Sequence, residues 1–112
     1  MAKYMVLYNS MVSTSERMAS ASPEQMKASM DEWIKWREDA NKTVNVDFGL
    51  PLQVGSRVTA SGVMNSDCQV SGYSIVEAES EAVIIDLLLS HPHLQNPGNS
   101  IDVLEMLTMP GM

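Results

Sequence analysis

The chain has 112 residues, 45% of them apolar and 19% charged, which suits one soluble globular domain, residues 1–112, with about two-thirds of its extended-chain surface buried on folding. A formal net charge of −7 and seven scattered basic residues speak against a nucleic-acid surface, where clustered Lys and Arg must neutralise phosphates. No apolar run reaches the roughly 18 residues that span a bilayer, the start "MAKYMVLYNS" lacks the pattern of a signal peptide, and one cysteine, Cys68, makes no intrachain disulfide, so a cytoplasmic protein is expected.

"KYMVLY", Lys3 to Tyr8, reads as a strand: it is short and rich in sheet-favouring residues. "NSMVSTSERMASAS" is small and polar, a loop whose middle suits a helical turn. "SPEQ", Ser22 to Gln25, is a strong helix start, with a capping serine, proline at the first helical position and glutamine completing a capping box. The helix is expected to run to about Asn41. Met26, Met30, Trp33, Ile34 and Ala40 fall on one face of it, Trp36 lies at the edge of that face, and Arg37 near its middle.

"VDFGLPLQVG" contains Gly49, Pro51 and Gly55 and reads as a loop entering an edge strand. "QVGSRVTA" alternates and supplies that strand. "SGVMNSDCQVSG" is a turn region with room for a short strand or bulge. "GYSIVEA", Gly72 to Ala78, is the third strand. "ESEAVIIDLLLS" is a second helix with acids in its first turn, where the helix dipole favours them. Pro92 is expected to end it. "NPGN" turns the chain into a last strand, "SIDVLEML".

The order is β-α-β-β-α-β, which predicts an α+β, ferredoxin-like fold with an antiparallel four-stranded sheet and two helices on one face. The first and last strands carry large apolar residues on both faces, whereas a sheet with one wet face alternates. A second copy of the sheet would cover the outer side, so a homodimer with a barrel-like interior is expected.

"SGYSIVEAESEAVIIDLLLSHPHLQNPGNSIDVLEMLTMPGM", Ser71 to Met112, together with "KYMVLY" and the "PEQ…W" helix, resembles the YCII-related family of dimeric α+β-barrel proteins. The shared pattern is a Gly-Tyr strand ending in Glu-Ala, an apolar helix, a His-Pro stop and a final Ile-x-Val strand. The resemblance implies a ferredoxin-like protomer, a dimer and a small-molecule pocket. The family includes lyase-type enzymes thought to use a His–Asp pair. The chain departs from the pattern twice: "NSDCQVSGYS" replaces an Asp-Gly-Pro-Phe motif, and no histidine follows the first strand, so the pair does not transfer to this sequence.

Both histidines lie in "SHPHLQ". His91 at a helix end is a candidate acid or base, since an unperturbed imidazole titrates near 6.5; the preferred reading is a helix stop that caps carbonyls. His93 reads as a packing residue of the hinge. A metal held by the two would need further ligands, and Pro92 limits their geometry, so no metal is expected. Glu105 falls on the face of Val103 and Leu107, where a buried carboxylate is either a base or half of an ion pair. Trp33, Trp36, Arg37, Asp47, Arg57 and Tyr73 are candidate ligand-binding residues: Arg37 to fork an anionic group, Asp47 and Arg57 to pair across a pocket mouth, the aromatics to line it. Each also has a plain reading as core or surface. No nucleophile motif, phosphate loop or dinucleotide fingerprint occurs, and no cofactor is expected. The leading expectation is a homodimer binding a small organic ligand between sheet and helices, as a cofactor-free lyase or isomerase; the alternative is a non-catalytic binding or assembly module.

Overall fold

The computed structural model describes residues 1–111. A four-stranded antiparallel sheet is built from β1 (Ala2–Asn9), β2 (Asn45–Asp47), β5 (Val70–Ala78) and β6 (Ser100–Met106), in the spatial order β2-β5-β1-β6. A separate two-stranded sheet, β3 (Ser56–Thr59) with β4 (Gly62–Asn65), lies between β2 and β5 in the chain. The helices are α1 (Thr14–Ser20), α2 (Pro23–Ala40) and α3 (Glu81–Leu88), and a 3₁₀ turn covers Pro92–Gln95. The fold is α+β.

Alternation sets which residues meet the helices. Tyr4, Val6 and Tyr8 of β1 pair across with Val76, Ser74 and Gly72 of β5, and these side chains share one face. That face buries Tyr4, Val6, Tyr8, Val46, Val76 and Ala78 against Trp36, Ala40, Ile84 and Leu88. The hydroxyls of Tyr8 and Ser74 are 2.9 Å apart in this core, so the polar ends pair rather than stay unsatisfied.

α2 starts as its sequence predicts. The Ser22 hydroxyl accepts from the Gln25 N–H at 3.1 Å and the Gln25 side chain accepts from the Ser22 N–H at 2.9 Å, a reciprocal capping box. The expected buried face is only half realised. Trp36, placed at the edge by periodicity, is buried; Trp33 and Ile34 are half-buried; Met26 and Met30 are exposed. An 18-residue helix is about 27 Å long, and only its C-terminal half lies over the sheet's core.

Three further expectations are corrected. The second strand of the main sheet is β2, not "QVGSRVTA", which instead supplies the first strand of the separate hairpin. Asn41 makes β2 start where it does: its side-chain oxygen accepts from the Val46 N–H at 2.8 Å, joining the end of α2 to the strand. The polar stretch after β1 holds a full short helix, α1, capped by the Ser13 hydroxyl on the Glu16 N–H. α3 ends at Leu88, three residues before the His-Pro pair, and Pro92 begins the next turn rather than stopping the helix. The "NPGN" turn is as expected, with Gly98 at φ +84°, a backbone state that side chains disfavour.

No helix among the described residues is long and apolar enough to cross a membrane.

Candidate functional site

His91 sits at the junction between α3 and the 3₁₀ turn. Its backbone is extended, as the residue before a proline prefers. Its N–H donates to Leu88 O at 3.0 Å. Its ring Nδ1 accepts from the His93 N–H at 3.0 Å. The imidazole therefore caps the turn that follows it and not the carbonyls of α3, as the sequence reading had allowed. A neutral ring that accepts at Nδ1 carries its proton on Nε2.

That ring is 2% exposed and enclosed by aromatics. Trp33 and Trp36 each have ring centroids 4.4 Å from it, Trp33 at an interplanar angle of 88°, and Tyr8 lies at 5.0 Å. Nε2 of His91 is buried with no hydrogen-bond partner among the described residues. Burial drives its pKa from 6.5 down to about 3, with the neighbouring His93 charge acting in the same direction. The negative end of a helix favours imidazolium, but desolvation is the largest influence on His91 and keeps the ring neutral.

His93 donates from Nε2 to the carbonyl of Asn9 at 2.8 Å, fastening the hinge to the end of β1. Its pKa is lowered mainly by burial, against the Asn9 bond, which favours the charged form; Arg17 also lowers it. Burial likewise pushes the Tyr8 hydroxyl up to about 12, with the Ser74 bond opposing. Three titratable rings thus meet in one dry cluster, all neutral near pH 7.

Of the other candidates, Trp33 and Trp36 meet around His91, and the rest are dispersed. Trp36 is core, and its indole N–H donates to Leu87 O at 3.0 Å. Trp33 packs edge-on against Tyr8 at 4.8 Å. The Arg37 guanidinium lies 4.7 Å from the centre of the Phe48 ring, a cation–π contact, with its stem along the half-buried helix side. Tyr73 and Asp47 belong to the opposite face of the sheet, in register with Leu7 and Ile75. Arg57 is on the hairpin and pairs with Asp67, so the expected Asp47–Arg57 pair does not form. Glu105 does lie on the helix side, opposite Tyr4, but is exposed because β6 is an edge strand that the helices do not reach at that end. A buried base at Glu105 is corrected accordingly.

Two concavities lie away from these residues. One, of about 280 Å³, runs between the β1–α1 loop and the chain entering β5; Ser10, Ser13, Thr14, Cys68, Gln69 and Ser71 are among its walls. It is braced by backbone-directed bonds: Ser10 N–H to Gln69 O at 2.8 Å, the Thr14 hydroxyl to Leu52 O at 2.6 Å, and the Ser71 hydroxyl to Tyr8 O at 3.1 Å. The other, of about 150 Å³, is an apolar groove beside β6 lined by Ile85, Leu88, Leu89, Leu94, Ile101 and Val103. Among the described residues no three His, Cys, Asp or Glu side chains are grouped as metal ligands. Sequence reasoning missed the polar cleft, whose only signal was a density of serine and threonine on either side of β1 and β5.

Comparison of the sequence with protein families finds no match, and comparison with curated proteins finds none at a significant level.

Proposed function

We propose that the chain is a cytoplasmic homodimer that serves as a binding module, with its ligand site in the polar cleft between the β1–α1 loop and the start of β5. The observation that carries the dimer is the outer sheet face. Met5 and Leu7 of β1 stand in register with Ile75 and Tyr73 of β5, and Leu104 and Met106 of β6 extend the same row. Lys3, paired with Glu77, and Asp102 edge it. Among the described residues the helices pack on the other side, and a contiguous apolar patch of this kind marks an interaction surface. A second copy of the same face supplies a self-complementary cover.

The connections support a ferredoxin-like protomer within an α+β barrel, of the kind the YCII-related resemblance implies. α1 and α2 link β1 to β2, α3 links β5 to β6, and the β3–β4 hairpin is an insertion in that scheme. The exposed thiol of Cys68 fits a reducing compartment.

The binding reading is preferred to the lyase or isomerase reading because His91 is sealed among Trp33, Trp36 and Tyr8, while Glu105 stands in solvent. A base must reach a substrate proton within hydrogen-bond distance. The cleft offers hydroxyl and amide groups rimmed by Glu16 and Asp67. It fits a small polar organic molecule, neutral or cationic, near the lower end of ligand-site volumes.

The dimer is tested by light scattering at micromolar concentration, where about 25 kDa is expected, twice the 12.3 kDa chain; a monomer overturns it. The cleft is tested by a thermal-shift screen of small polar compounds. Cys68→Trp should fill the cleft, abolish the shift given by any hit and leave the unliganded melting temperature unchanged. A hit that survives Cys68→Trp binds elsewhere, and a hit consumed with turnover reinstates the enzyme reading.

A further inference from the structure

The connection from α3 to β6 is held down by two side chains. Of residues 89–100 only His91 and His93 are buried; Leu89, Ser90 and residues 94–98 are exposed. A segment with so few buried contacts opens at lower cost than the sheet beside it. His93 ties it to β1 through Asn9 O, and the Asn99 amide returns to His93 O at 3.1 Å. His91 ties it to α2, with its ring against Trp33 and Trp36.

His91 keeps that seat in one protonation state. Its Nδ1 accepts the His93 N–H, so a proton added there would set one N–H against another. Its Nε2 already carries a proton into a site without an acceptor among the described residues. A charge on the ring would be buried without a partner.

The surroundings do not offset that charge. β1 presents the neutral Tyr8 phenol, itself bonded to Ser74 of β5. α2 presents the two indoles, and its Arg37 lies over Phe48. α3 presents Leu88 O, while its Asp86 is exposed. Asp102 of β6 accepts from the Asn9 side chain. The two cations nearby have the wrong sign: Arg17 of α1 acts on His93, and His93 when charged acts on His91.

Closed, the His91 ring titrates at about 3; swung into water it would return to about 6.5. The open form therefore binds a proton that the closed form rejects. Each pH unit lost between those values raises the ratio of open to closed by up to about tenfold.

We propose that His91 is an acid-released latch: protonation of its ring frees residues 89–99 from α2 and β1 while the sheet and helices stay folded, which uncovers Trp33, Trp36 and Tyr8 and draws Leu94 out of the groove it shares with Leu88 and Ile101.

The chain has two tryptophans, and both lie with ring centroids 4.4 Å from His91, so acrylamide quenching of tryptophan fluorescence reads this cage alone. Quenching is measured beside far-UV circular dichroism as the pH is lowered, on the wild type, His91→Phe and His91→Asn. The asparagine amide keeps an acceptor for the His93 N–H and does not titrate. The wild type should show a quenching constant at least about threefold higher at a pH where its ellipticity is unchanged. In both variants quenching should rise only as ellipticity falls, and if one variant does not fold the other carries the comparison. Quenching and ellipticity that change together in the wild type overturn the latch, as does the same early rise in a folded variant.

Discussion

The backbone N–H of His93 donates to the ring Nδ1 of His91, two residues earlier, at 3.0 Å. One imidazole thereby terminates the turn that positions the other, and the other reaches β1 through Asn9. The two histidines share a hinge because the first holds the second in place.

His91→Ala should therefore cost more than a surface cap. It removes a buried ring from between two indoles and leaves the His93 N–H without its acceptor. A loss of roughly 2–4 kcal/mol is expected in urea unfolding, cavity and unsatisfied donor together. His91→Phe refills the space but not the bond, and should lose about 1–2 kcal/mol. An alanine variant within 0.5 kcal/mol of wild type, the ordinary range for surface sites, would contradict this account.

Stability should fall with acidity in a defined window. Both folded-state histidine pKa values lie below 6.5, that of His91 at about 3. The unfolded chain then binds more protons between those values, so stability is complete above about pH 6.5 and lost progressively as pH falls towards 3. Each site contributes a slope of up to about 1.4 kcal/mol per pH unit in its window. Urea midpoints measured between pH 7 and pH 4.5 should drop for the wild type and drop less steeply for His91→Phe, although carboxylates add their own change at the acid end. Equal slopes would show that His91 is not the group responsible.

The Tyr8–Ser74 pair gives a test of the core. Tyr8→Phe leaves the buried Ser74 hydroxyl without its partner, and Ser74→Ala does the reverse. Each should cost about 1–3 kcal/mol, whereas the double variant should be less destabilised than the sum, since removing both partners leaves nothing unsatisfied. Additive losses in a double-mutant cycle would mean the hydroxyls do not interact.

On the outer sheet face, Ile75→Lys should convert the proposed dimer to a monomer with little change in circular dichroism. The residue is partly exposed within one chain and central to the row of apolar side chains. A dimer that tolerates this lysine is assembled through another surface.

Much of this fold is legible in the sequence where a local rule and a tertiary need agree. Ser22, Pro23 and Gln25 start α2 because all three cap chemistries point the same way. "GYSIVEA" and "SIDVLEM" become strands as their short apolar runs between turn residues direct. β2 was hidden in plain alternation: Val44 and Val46 are buried and Asn45 and Asp47 exposed, but Gly49 and Pro51 just after it drew the reading towards a loop. The β3 stretch alternates equally well and still lies outside the main sheet, because alternation says nothing about which strand is a neighbour. The site was less legible. His91, Trp33 and Trp36 do meet, yet their sealing against solvent depends on Tyr8, 83 residues before His91 in sequence. Tyr73 and Asp47 went to the far face on the parity of their strands, and Glu105 to solvent because an edge strand outruns the helices above it.

The place of β1 has a consequence for how the protein comes to be made. The first strand of the chain lies inside the sheet, paired on one side with residues 70–78 and on the other with residues 100–106. A ribosome delivers it well before its second neighbour, β6. Until then Tyr4, Val6 and Tyr8 have no complete core to enter, and one edge of the strand stays open. Such long-range closure slows folding and lengthens exposure to wrong partners. The nascent chain is thus committed to folding late, as a unit, once Ser100–Met106 has cleared the exit tunnel.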